Sequence, residues 1–175
     1  MWFKKNKSKK ATQMNKEQFG KIVLGWMLLT SANNGVKEFE EIGIKETFAN
    51  YSTYLEYLLF LTRKILGARY DLNDTKLIVE ATIEGVFDYM DGLPKEQKGE
   101  VKTLFKEMYK ETESFLNEIC NDIGSEQGLK ELTTSFLNDC GVEKDMFSHM
   151  HAFALFSGFI IHHTSDILND SIIII

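Results

Sequence analysis

Residues 94–122 read PKEQKGEVKTLFKEMYKETESFLNEICND. Val101, Leu104, Phe105, Met108, Thr112, Phe115, Leu116 and Ile119 recur in it at steps of three and four. On a helix of 3.6 residues per turn that spacing draws one apolar stripe, and lysines and glutamates fill the opposite side. Pro94 stands where a proline belongs, in the first turn of a new helix. A long amphipathic helix must bury its stripe against other elements, so the fold class rests on what its neighbours are.

The neighbours also read as helices. Gly124 ends the first one, Ser125 caps a second over about 126–140, and Gly141 ends that. A last helix over about 143–166 carries AFALFSGFII at residues 152–161. Its apolar residues point in every direction, which places it at the centre of the bundle. Upstream, Asn73-Asp74 caps a helix over about 74–90 that stops at Asp91-Gly92. Residues 45–70 form the most aromatic helix, with Phe48, Tyr51, Leu55, Leu58, Leu59, Thr62, Ile65 and Leu66 at helical spacing. Asn15 and Gln18 make a capping box that opens a first helix. That helix is expected to end at Asn33-Asn34-Gly35, with Gly35 as a left-handed cap, before a short helical turn over residues 36–42. No internal repeat and no convincing strand stands out. The expectation is an all-α, single-domain bundle of about six or seven helices with a central apolar C-terminal helix. The helical domain spans 15–175 and follows a disordered basic arm at 1–14. The β-branched tail at 171–175 is expected to pack into a groove.

Charge is sorted by position. The first 21 residues hold seven lysines and one acid, a balance of +6, and the other 154 residues carry −12. An acidic body makes nucleic acid an unlikely partner, while the arm seeks anionic surfaces. Trp2 and Phe3 followed by Lys4, Lys5, Lys7, Lys9 and Lys10 suit contact with an anionic membrane or another polyanion. No apolar run reaches the roughly 20 residues that span a bilayer. A basic segment, the apolar residues 22–29 and Thr30-Ser31-Ala32 resemble a signal peptide. A basic region that long, interrupted by Glu17, favours a buried first helix instead. Cys120 and Cys140 have no metal-type or redox spacing and read as small buried hydrophobes, in keeping with a reducing, cytoplasmic setting. The richness in Lys, Asn, Ile and Glu is the composition of chains from low-GC bacteria and their phages.

Two constellations are candidates for chemistry. All four histidines lie in the last helix, His149 with His163 on one face and His151 with His162 on another. Within each pair they stand about 16–21 Å apart along the axis, too far to share one ion. Asp145 precedes His149 by one turn and Asp166 follows His162 by one turn. A metal or haem site would therefore draw on Asp145, His149, His162, His163 or Asp166 together with ligands from other helices. The second constellation is the column Glu80, Glu84, Asp88 and Asp91, on the side of its helix opposite Val79, Ile83, Val86 and Met90. Like charges at i,i+4 cost a helix roughly 0.2–0.5 kcal/mol per pair, so such a column suits a docking surface for a basic partner. No phosphate loop, Rossmann glycine motif, nucleophile elbow or kinase signature occurs. These absences point to a non-enzymatic helical interaction protein, an adaptor, immunity-type protein or inhibitor. It needs no cofactor and binds a protein partner through its acidic surface. The alternatives are a metal- or haem-binding protein using the histidines and a peripheral membrane protein docking by its arm.

Overall fold

A computed structural model describes residues 12–120, 122–142, 145–168 and 172–174. After strand β1 (Thr12–Met14), Asn15 opens the first helix as the sequence predicts. Its side chain accepts from the Gln18 amide at 2.8 Å, and the Gln18 side chain accepts from the Asn15 amide at 3.1 Å. The helix runs without interruption through α1 (Lys16–Gln18), a π-helical segment (Phe19–Leu24) and α2 (Gly25–Gly35). The wide turn presents Gly20 and Gly25 to the helix packed beside it.

Gly35 is not a left-handed cap. Its φ is −66°, and the chain continues into a 3₁₀ turn (Val36–Glu38) and α3 (Phe39–Ile42). A side chain at Gly35 would collide with the Tyr54 ring, so close approach explains this glycine. The left-handed residue is Gly43, at φ +83°, whose amide closes α3 onto the Glu40 carbonyl at 3.1 Å.

Four more caps set the remaining helices. Thr47 opens α4 (Phe48–Leu66), Asp71 opens α5 (Leu72–Tyr89), Ser125 opens α7 (Glu126–Asp139) and Asp145 opens α8 (Met146–Ile167). Each side chain accepts an amide three residues on. Asp71 corrects the expectation of a cap at Asn73-Asp74: the stronger position starts α5 two residues earlier. Pro94 stands immediately before α6 (Lys95–Ile119).

The centre of the bundle is α4. Twelve of its 19 residues are buried, and α2, α5, α6, α7 and α8 all pack on it. Tyr54 and Tyr57 join Phe39, Phe136 and Phe156 in one aromatic cluster with ring centroids 5.2 to 6.3 Å apart. The expectation of a central C-terminal helix is overturned. In α8 only Ser148, Ala152, Phe156, Phe159 and Ile167 are buried, one strip at steps of four, four, three and eight. An apolar composition on all sides says that a helix tolerates burial; which side is covered depends on how many helices reach it.

The structure also contains strand pairing, which the sequence reading did not expect. Ile172–Ile174 forms β2 and pairs in parallel with β1, Thr12 opposite Ile172 and Met14 opposite Ile174. Residues 12–14 thus belong to a ladder and not to a featureless arm, and residues 172–174 of the isoleucine tail form its second strand. The lysine-rich residues 1–11, with Trp2, Phe3, Lys4, Lys5, Lys7, Lys9 and Lys10, lie outside the described residues. Among those described, no helix is long and apolar enough to cross a membrane.

Candidate functional site

Three exposed aromatic side chains, Trp26, Phe48 and Tyr89, come together where α2, the start of α4 and the end of α5 meet. Trp26, Leu29, Thr30 and Asn33 come from α2, Phe48 and Tyr51 from α4, and Tyr89 from α5. Met90, Asp91, Gly92 and Leu93 of the following turn complete the wall of a groove of about 610 Å³. The turn is made possible by Gly92 at φ +86°. Trp26 and Phe48 are each 59% exposed and Tyr89 is 40% exposed, while Met90 is buried. The Tyr51 hydroxyl donates to Asn33 Oδ1 at 2.9 Å and ties α4 to α2. Burial pushes the Tyr51 phenol up to about 12, so it stays a neutral donor at physiological pH.

A shallower apolar surface continues from Phe48 along α6 through Leu104 and Met108. It exists because α6 buries only part of its stripe. Phe105, Tyr109 and Leu116 face inward, whereas Leu104, Met108 and Phe115 remain exposed. Tyr109, absent from the stripe drawn on the sequence, is among the buried residues. The surface here offers exposed aromatic side chains around a concavity, one charged wall residue, and the negative end of the α5 dipole at its edge.

The acidic column of α5 is divided by its surroundings. Glu84 accepts from Lys106 at 2.7 Å and also from Lys102, both on α6. Desolvation raises its carboxyl, but the two lysine hydrogen bonds and their charges outweigh this and hold it below the usual range. Asp88 pairs with Lys21 at 2.6 Å, and that bond raises the lysine. Glu84 and Asp88 are thus the acidic half of an ion-pair seam, with lysines supplied by the helices on either side. Glu80 is solvent-exposed, and Asp91 belongs to the aromatic groove.

The histidines are dispersed. Asp145 accepts from the Ser148 amide at 2.9 Å and from its hydroxyl at 2.8 Å, and these bonds hold its carboxyl below the usual range. His149 Nε2 lies 3.2 Å from Thr134 Oγ1, and His151 Nδ1 lies 3.7 Å from Glu41. Among the described residues no group of three or more His, Cys, Asp or Glu side chains is placed to hold a metal ion. One arrangement escaped the sequence because its members are 132 residues apart: Ser31 Oγ is 3.0 Å from His163 Nε2. Asp166 is 3.6 Å from the other ring nitrogen. The order resembles nucleophile, base and orienting acid. Ser31 lies inside α2, however, where backbone amides are spent on intrahelical carbonyls, so no amide pair remains to stabilise an oxyanion. The contact is a tie between α2 and α8.

The groove itself carries little sequence signal. Trp26, Phe48 and Tyr89 come from three helices and share no local motif. No protein-family model, curated protein or solved structure matches the chain.

Proposed function

We propose that this is a non-enzymatic helical interaction protein that captures a segment of a protein partner in the groove between α2, α4 and α5. The observation that carries this reading is the exposure of Trp26, Phe48 and Tyr89 around one concavity. Exposed aromatic residues grouped in a pocket are the usual anchors of protein interfaces. Asp91 is the one charged residue of the lining, and with the α5 C-terminus it selects a segment pairing an apolar anchor with lysine or arginine. The acidic contribution to binding therefore moves from the whole column Glu80, Glu84, Asp88 and Asp91 to its last member. Free Cys120 and Cys140 suit work in a reducing, cytoplasmic setting.

The test is selection of binding peptides from a random display library, followed by affinity measurement on variants. Trp26→Ala and Phe48→Ala are each expected to weaken the selected peptides by tenfold or more with unchanged circular dichroism. Asp91→Asn is expected to remove the preference for a basic residue. Peptides that bind both alanine variants as tightly as the natural chain would sink the proposal.

A further inference from the structure

The outward side of α8 has no partner within the chain. Met146, Phe147, Met150 and Ile161 are all more than 60% exposed. No Lys, Arg, Asp or Glu occurs between Met146 and Ser165. On this side Phe147, Met150, Ala154, Ser157, Ile161 and Thr164 follow one another at steps of three, four, three, four and three. That is the 3.5-residue spacing of a helix seam, directly opposite the strip that α8 buries in its own bundle. The spacing reads the same in both directions, and so do the sizes of the four inner residues. Ala154 and Ser157, both small, hold the centre; Met150 and Ile161, both bulky, flank them; at the ends the larger Phe147 faces the smaller Thr164. A two-fold axis across the middle of the seam therefore sets bulk against bulk and small against small at these four inner positions. Gly158 borders the same face, and a side chain there would meet nothing within 4 Å, so no contact inside the chain explains a glycine in mid-helix.

We propose that α8 pairs antiparallel with α8 of a second copy, Met150 against Ile161 of that copy and Ala154 against its Ser157. The occupant is fixed by charge as well as by symmetry. A −12 body repels its own kind at most faces, and this face lets two copies approach with no like charge in the seam. The seam is about 26 Å long and one helix wide, which puts the contact at the small end of specific interfaces, below about 1,200 Å² in total. The association is accordingly concentration-dependent. It lies away from the aromatic groove and does not depend on the function proposed for it.

The experiment is sedimentation equilibrium of the full chain over a concentration series, with Met150→Lys, Ile161→Glu and the double variant M150K/I161E. Both positions are exposed, so folding is undisturbed, and circular dichroism checks this. The natural chain is expected to reach twice the 20.2 kDa of the monomer. Each single variant buries an unpaired charge and is expected to raise the dissociation constant at least tenfold. The double variant places each lysine opposite a glutamate of the other copy and is expected to recover most of the loss. A natural chain that stays monomeric at every concentration overturns the proposal. So does a dimer indifferent to both single variants, or a double variant no better than the singles, which is the outcome for a parallel pair.

Discussion

Three glycines in helical positions have different structural consequences. A Cβ on Gly25 would stand 2.7 Å from Gly85 Cα, and one on Gly85 would run into the Lys21 carbonyl. Both positions hold the first helix against α5 at a distance only hydrogen side chains permit. Gly158 has open space in the same test. Gly85→Ala is expected to cost about 2–3 kcal/mol because two backbones must part. Gly158→Ala is expected to gain up to about 1 kcal/mol from helix propensity. Urea unfolding of the two variants measures both, and equal signs would refute the distinction. Glu56 shows burial acting on charge. It is 3% exposed, and desolvation holds its carboxyl above the ordinary 4.5 despite hydrogen bonds from Thr112 and Ser52. Above 4.5 the folded state therefore binds more protons than the unfolded one. Stability falls as pH rises through that window, and the penalty is complete above the folded value. Glu56→Gln is expected to melt higher than the natural chain at pH 8, with the gap closing towards pH 4.5. A gap independent of pH would place its cause elsewhere.

At the scale of elements, the seam between α5 and its neighbours depends on ionisation. Glu84 is held below the usual carboxylate range by Lys102 and Lys106, so its contribution is present above its unfolded value and is lost as pH falls through the folded one. Replacing both lysines by glutamine is expected to lower the melting temperature at pH 7 and to lower it less at pH 3. An equal loss at both pH values would mean that the lysine stems, not their charges, hold α6 to α5. The same seam shows what a sequence makes legible. The caps at Asn15 and Ser125 and the helix begun after Pro94 follow from local chemistry, and they stand where that chemistry puts them; the cap at Asp145 was not read from the sequence, which started the last helix near 143. The acidic column was visible too, but its partners were not, because Lys21 reaches Asp88 and Lys102 reaches Glu84 only through tertiary packing. The choice of central helix failed for a related reason. Residues 152–161 are more uniformly apolar than α4, yet burial is conferred by neighbours, and α4 has five of them. The groove was hidden entirely, since no single element contains it.

At the scale of the molecule, the β1–β2 ladder joins segments some 160 residues apart, so the segment that enters the first helix and the segment that follows α8 lie side by side. Removing residues 172–175 is expected to speed amide exchange at Thr12–Met14 while leaving α4 as protected as before. Unchanged exchange at Thr12–Met14 would show that β1 is held by something other than β2. The ladder also orders events during synthesis. Met14 leaves the ribosome first, and its strand partner follows on the order of ten seconds later at translation rates of roughly 5–20 residues per second. Throughout that interval the helices are free to assemble while the N-terminal strand edge waits unpaired. The nascent chain therefore carries Thr12–Met14 without their strand partner until β2 has been made, and the ladder closes only after the helices between the two strands exist.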